Sequence, residues 1–502
     1  LVLDVELVHA NSLRAVDRLA EAEQSFRTVL PALVEAYGPN HVQTVIARNS
    51  LAVLLQRTQR YDEAEALYRE ALAVARRRFG DDHVDALVAE MNLAGLLRDV
   101  GRETEAAPML ESTYRRLRKA YGDDHARTGE AAWRLGVMYF DHAKNREALP
   151  LFEECLRIRV ATQGAETIEV AEAHEKIGLL ASRLGDHDRA VRELTTARTI
   201  RERLLGPDAR RTLESRLHVA NALVRANRQQ EAEGELRATL ARCEEVLGED
   251  SPTTAVATNS YAVLLMSLLR YGDAVPHLQK ALARGRKAKN AEVRDTLVTQ
   301  LNLCMALRES GQLDAAEELV RDALPQLVRS YGVDHDVTGA GHLALGDTLA
   351  AKGAFAAAVP AYEESLRIAR LGSRADDPSF GGDALALARA HLDAGAFAAA
   401  EALLAEVAEA YTKKHGGNHR YVLAVAAERA RIAWKQGRWA EAEAQLLATE
   451  QALAALVPPN RRELPRTRRY LAAFYAAWNA AEPSPARAEQ AAAWAARVPA
   501  PR

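Results

Sequence analysis

Five histidines are the first candidates for chemistry in this sequence, because imidazole is both a metal ligand and a proton carrier near neutral pH. His41, His83, His125, His335 and His419 recur at 42 residues or multiples of it. A zinc ion needs its ligands within about 2 Å of one point, whereas neighbouring packed helices stand about 8 to 10 Å apart. The spacing therefore argues against a metal centre. It favours a histidine in the first turn of each helix that packs on, or bonds to, the adjacent connection. No cofactor is expected: the phosphate loops GxxxxGK[ST] and GxGxxG, the HExxH and GxSxG motifs, and the His-Arg-Asp and Asp-Phe-Gly segments are all missing. Cys155, Cys243 and Cys304 are isolated, which suits a reducing compartment rather than a disulfide framework.

A second set of residues could bind rather than catalyse. Asn49, Arg57, Asn92, Arg98, Arg134, Arg183, Asn221, Arg225, Asn259, Asn302 and Arg308, followed by Arg389 and Arg431, recur on one side of successive helical stretches. Asn can meet the N–H and C=O groups of an extended peptide at once, and the Arg fork suits carboxylate or phosphate. Two readings stand. One is a groove for an acidic or phosphorylated segment. The other is a solvated face in a chain with 56 Arg and 10 Lys, where Glu130, Glu172, Glu175 and Glu214 neutralise the arginines.

The elements that must position these residues follow from a repeat without insertion or deletion. Stepping by 42 from Ala22 gives Ala64, Ala106, Ala148, Ala190, Ala232, Ala274, Ala316, Ala358, Ala400 and Ala442. A second register runs through Gly38, Gly80, Gly122, Gly164, Gly206, Gly248, Gly332 and Gly416, broken at Asn290, Arg374 and Pro458. Each glycine is expected to end a helix in the left-handed conformation, and the Asp, Asn or Glu two residues later to cap the next helix. Between these stops lie two amphipathic stretches, such as 42–57 and 62–79, with apolar residues at three- and four-residue spacing. The unit is a helical hairpin. Small residues at Ala52, Ala94, Gly136, Gly178 and Gly346 let its two helices approach closely, and Gly101, Gly185, Gly311, Gly353, Gly395 and Gly437 mark its inner turn.

The run Asn49-Ser-Leu-Ala-Val-Leu-Leu, then Tyr61-Asp-Glu-Ala-Glu-Ala-Leu-Tyr-Arg-Glu-Ala-Leu, then Phe79-Gly-Asp-Asp-His resembles the tetratricopeptide repeat, in the 42-residue form of kinesin light chains. The resemblance implies an all-α, right-handed superhelical solenoid of about eleven stacked hairpins whose first helices line a concave groove. Residues 1–457 are expected to form the array, with its poorest match near 371–383. Residues 458–502 are expected to form a degenerate last repeat and a capping helix. The sequence Gly285-Arg-Lys-Ala-Lys-Asn290 reads as an irregular basic loop, and Arg461, Arg462, Arg466, Arg468 and Arg469 as a local basic run. Tyr61, Tyr271, Phe355, Phe397 and Trp439 share one register and read as seam packing rather than a base-stacking platform.

A net charge of 66 − 69 = −3 argues against a nucleic-acid partner, and no apolar stretch approaches a membrane span, so no membrane insertion is expected. The expected function is a non-catalytic scaffold that holds a protein or peptide partner. The alternative, carried by a resemblance of the array and of the closing segment 470–478 to bacterial serine/threonine protein kinases, is a C-terminal regulatory region whose catalytic domain precedes Leu1. Leu rather than Met at position 1 suggests a piece of a longer chain. A cytoplasmic location is expected, or an extracytoplasmic one if a membrane span precedes the array.

Overall fold

The computed structural model describes residues 2–16, 18–287, 293–372, 380–456 and 463–498. These residues form 24 α-helices and, among the described residues, no strand. The chain divides into two compact units, Leu1–Leu247 and Gly248–Arg502. In the first, six hairpins follow one another: α1 (Val2–Ala15) with α2 (Leu19–Tyr37), α3 (Val42–Arg57) with α4 (Tyr61–Phe79), α5 (Val84–Asp99) with α6 (Glu103–Tyr121), α7 (Ala126–Asp141) with α8 (Asn145–Gln163), α9 (Ile168–Leu184) with α10 (His187–Leu205), and α11 (Arg210–Arg225) with α12 (Gln229–Val246). The second has α13 (Pro252–Ser267) with α14 (Tyr271–Lys287), α15 (Val293–Glu309) with α16 (Leu313–Tyr331), α17 (Asp336–Ala351) with α18 (Phe355–Gly372), α19 (Gly381–Asp393) with α20 (Phe397–His415), α21 (Arg420–Lys435) with α22 (Trp439–Ala455), and α23 (Glu463–Ala481) with α24 (Pro485–Ala496).

The alanine register is the inside of every hairpin. All eleven residues from Ala22 to Ala442 are 0% exposed, because each is the point where a second helix crosses its first. Large side chains fill the space around them: Tyr68, Phe26, Phe152 and Phe474 are fully buried. Where the first helix carries glycine the approach is closer still. A Cβ on Gly346 would lie 2.7 Å from the Tyr362 ring, and one on Gly178 2.7 Å from Leu194 Cγ. Within each unit most consecutive first helices also touch one another, as in α3 with α5, α9 with α11 and α15 with α17, whereas second helices pack on the first-helix layer. At the end of the second unit α24 brings Trp494 onto the apolar cluster that includes Leu446, Leu471 and Phe474.

Two expectations about the connections are corrected. Gly38 has φ 88° and ψ 162°, and its counterparts after the other second helices follow it. This is an extended, positive-φ conformation open essentially to glycine alone, not the left-handed helical one. The left-handed helical conformation occurs instead at the inner turn, as at Gly185 with φ 88° and ψ 1°. At four described inner turns Gln59, Ala143, Asn227 and Leu269 stand in place of glycine, with φ of 56–62°.

The second correction concerns the cap. The acidic or amide residue two places after the glycine does not hold the next helix; at five connections the histidine beside it does, and at α9 it is Thr167. Nδ1 of His41, His83, His125, His335 and His419 accepts the backbone N–H two residues on, at 3.1–3.4 Å. Each ring also lies on an aromatic ring of the preceding helix, as His83 on Phe79 with centroids 4.5 Å apart and His125 on Tyr121 at 4.7 Å. The acids turn outward and take an arginine from the following hairpin: Asp82 pairs with Arg116 at 2.7 Å, Asp208 with Arg242 at 2.5 Å and Asp334 with Arg367 at 2.7 Å. Asn290, Arg374 and Pro458, with Arg461, Arg462 and most of the irregular joints at 285–290 and 371–383, lie outside the described residues.

Candidate partner-binding surface

The residues expected to face a groove stand on the first helices of both units, and the structure does not gather them into one site. In the first unit, Asn92 on α5 is 8% exposed and donates Nδ2–H to Asn49 Oδ1 on α3 at 3.0 Å. Arg57 reaches the backbone carbonyl of Arg14 at 3.4 Å. Arg98 pairs with Asp99 at 2.8 Å, and Arg134 with Glu130 at 2.8 Å. Arg183 lies 3.9 Å above the Phe140 ring and donates to the Phe140 carbonyl at 3.2 Å. Asn221 is half-buried and Arg225 exposed. In the second unit Asn259 and Asn302 are half-buried, the Asn259 Oδ1 is buried without a partner, and Arg308 is held between Glu309 at 2.9 Å and Asp347 at 2.7 Å. Arg389 donates to Glu428 at 2.6 Å and Glu463 at 3.0 Å, and Arg431 to Asp393 at 2.6 Å.

Two depressions open on this surface, one in each unit. That of the first unit, about 330 Å³, is lined by Trp133, Glu172, Glu175, Lys176, Arg201, Arg211, Glu214 and His218. Burial pushes the Glu175 carboxyl up, but His218, 3.6 Å away, and Arg201 overcome it and hold the group at about 2. Arg201, 5% exposed, also donates to Ser215. Three carboxylates against three permanent cations leave this depression close to neutral.

The depression of the second unit is larger, about 600 Å³, and lies between α15, α17, α19 and α23. Its floor is small, with Ala350 and Ala351 on α17 and Ala386 and Ala390 on α19. Its walls carry Arg308, Arg389, Arg466 and Arg469 against Glu309, Asp347 and Asp393. Glu428 closes the structure behind it at 1% exposure. Burial alone would raise its carboxyl; Arg389 and Arg431 hold it down to about 2. The Tyr470 hydroxyl, pushed up to about 12 chiefly by burial, donates to the same carboxylate at 2.9 Å.

Arg466 and Arg469 were readable only as part of a basic run, yet the 42-residue register carries a clearer signal. Counting back ten periods, Arg466 falls on Ile46 and Arg469 on Asn49, positions of the first-helix stripe. Arg468 of the same run faces away and pairs with Glu450 at 2.8 Å. Of the aromatic register, Tyr61, Phe397 and Trp439 pack against the apolar clusters, whereas Phe355 lines the larger depression. The three cysteines are buried and none is in a disulfide. No group of three His, Cys, Asp or Glu side chains suited to a metal ion occurs among the described residues, and no described helix is long and apolar enough to cross a membrane.

Paired helices in a fixed frame, with a row of polar side chains on the first-helix layer, define a helical-hairpin repeat protein. The family profile for the tetratricopeptide repeat matches residues 2–77, 44–119, 85–159, 169–242 and 295–370, and a second profile of the same name matches 384–421. The chain belongs to the tetratricopeptide repeat family. No curated protein matches the sequence. Among solved structures, RapI in its apo form is 10% identical with a TM-score of 0.56, covering 74% of this chain and 98% of that one, a likeness of fold. A kinesin light chain of Podosopora anserina with nearly identical repeats is 21% identical over 40% of this chain and 94% of that one, TM-score 0.37. BtubC of P. vanneervenii is 22% identical over 49% and 93%, TM-score 0.37.

Proposed function

We propose that the chain is a non-catalytic scaffold that holds a partner peptide or protein segment along the first-helix face of its repeats. The observation that carries this reading is the larger depression, where small side chains on α17 and α19 leave room for a backbone while arginines and carboxylates line the walls. Such a surface grips through many modest polar contacts and offers no nucleophile paired with a base. The first-helix arginines favour a partner with acidic or phosphorylated side chains. The similarity of segment 470–478 to the ends of serine/threonine kinases supports a second form of the same reading, in which the array recruits partners for a kinase.

The test is affinity capture from the source cell, followed by binding of the captured segment to the purified chain. Binding is expected to weaken as salt rises and on Arg98→Ala combined with Arg134→Ala. Salt-independent binding with unchanged affinity in that double variant contradicts an electrostatic groove. Phosphoryl transfer or ATP hydrolysis that survives repurification contradicts a scaffold without catalysis.

A further inference from the structure

We propose that the depression between α15, α17, α19 and α23 seats an acidic peptide segment, whose Asp or Glu carboxylates are held by Arg466 and Arg469. This rests on the peptide-scaffold reading and narrows it to one place and one chemistry. The argument is a census of unmet partners. Every carboxylate in the walls already has its cation: Asp347 takes Arg308 at 2.7 Å and the Tyr362 hydroxyl at 2.9 Å, Glu309 takes Arg308 at 2.9 Å, and Asp393 takes Arg431 at 2.6 Å. The cations are not matched in the same way. Arg308 is bound through all three of its nitrogens and Arg389 through two. Arg466 spends only Nη1, on Glu463 at 2.7 Å, and Arg469 is exposed and forms no ion pair with any described residue.

The unspent donors in the depression are therefore those of Arg466 and Arg469, and they sit on one side. Arg466 and Arg469 are three residues apart on α23, so their side chains leave the helix as neighbours about 5 to 6 Å apart. Two forks at that separation suit successive carboxylates of an extended chain. The α23 helix is held at the rim through Glu463, which bridges Arg389 at 3.0 Å and Arg466 at 2.7 Å, so the forks are positioned before anything binds. The alanine floor opposite lets a backbone lie close. Two separate forks one helical turn apart suit two carboxylates in succession rather than one phosphate group, which favours Asp or Glu over a single phosphorylated side chain.

The test uses the full chain and fluorescein-labelled decapeptides of alternating Gly and Glu, with the Gly and Gln counterpart and a version bearing one phosphothreonine. Anisotropy is expected to show the Glu peptide binding at least about tenfold more tightly than the Gln peptide, and a loss of about tenfold on Arg469→Glu. Arg77→Glu, exposed on the second helix α4, is expected to leave the affinity unchanged. Arg469 forms no ion pair with any described residue, so its variant is expected to keep the helicity and melting temperature of the parent, and Arg469→Gln gives a smaller loss in the same direction. Equal affinity for the Glu and Gln peptides, unchanged affinity in Arg469→Glu, or tight binding of the phosphothreonine peptide alone overturns the assignment. A captured partner that is sensitive to Arg98→Ala with Arg134→Ala but indifferent to Arg469→Glu leaves the scaffold reading standing and removes this pocket from it.

Discussion

Glu428, on α21, receives Arg389 from α19 at 2.6 Å while only 1% of it meets solvent. Arg431 adds a second bond to the same carboxylate at 2.8 Å. A buried acid between two cations is costly to strip of its charge. Glu428→Ala is expected to lower stability by about 3 to 5 kcal/mol, because two buried guanidinium groups each lose one of their two carboxylates. Urea unfolding checks it. The same pair predicts acid sensitivity: the folded carboxyl titrates at about 2, below its value in the unfolded chain. Its contribution is complete above the ordinary carboxylate range and is lost as pH falls toward 2. Glu428→Gln should flatten that part of the acid profile.

The glycines inside first helices give opposite outcomes for one substitution. Gly346→Ala meets the Tyr362 ring at 2.7 Å, and that ring is 4% exposed with its hydroxyl bound to Asp347. Overpacking of about 1 to 3 kcal/mol outweighs the gain of about 1 kcal/mol from replacing glycine in a helix. The control lies in a second helix: a Cβ at Gly234, within α12, meets nothing within 4 Å. Gly234→Ala should stabilise by about 1 kcal/mol. Thermal melts of both variants decide it.

Leu269 occupies the inner-turn position with φ 62° and is 53% exposed. A left-handed backbone costs an ordinary residue about 1 to 2 kcal/mol, of which glycine gives back roughly half through its freer unfolded chain. Leu269→Gly is therefore expected to raise stability by about 0.5 to 1 kcal/mol. Asn227→Gly, at the same register, should change it less, since Asn tolerates this conformation. Equal effects at both positions, read by chemical unfolding, contradict the explanation.

The cap at His419 makes its hairpin sensitive to mild acid. An Nδ1 that accepts a helix N–H cannot also carry a proton, and a cation is unwelcome at the positive end of a helix. Burial, with His415 and Arg420, lowers the His419 value further. Its folded value lies below the unfolded one, so protons favour the unfolded chain. Stability holds above the ordinary imidazole range and is lost as pH falls through the folded value. His419→Asn keeps an acceptor that does not titrate, at about 1 kcal/mol for the cap. Unfolding followed from about pH 7 to about pH 5 should show a steeper slope in the parent than in this variant.

The hairpins were legible because packing repeats: Ala at one crossing and Gly after each second helix are read directly from the 42-residue frame. The caps were misread because Asp and Asn are the commoner cap residues. The deciding feature, an aromatic four residues before His41, His83, His125 and His335, involves a ring contact that composition does not display. The pairing of the arginines was hidden for a geometric reason. Arg308 finds Asp347 and Arg389 finds Glu428 at a separation of 39 residues, one repeat less one helical turn, so the neutralising acid stands on the next hairpin rather than beside the cation. Arg466 and Arg469 were separated from Arg468 only once α23 had a face.

The outward acids carry a consequence for how such a chain changes length. Asp82 meets Arg116, Asp208 meets Arg242 and Asp334 meets Arg367 with the acid always two places after a glycine. Excising or duplicating one whole period therefore brings a lobe of the same outline and charge against its new neighbour, and the splice heals in register. A cut of any other length puts an arginine against the wrong turn.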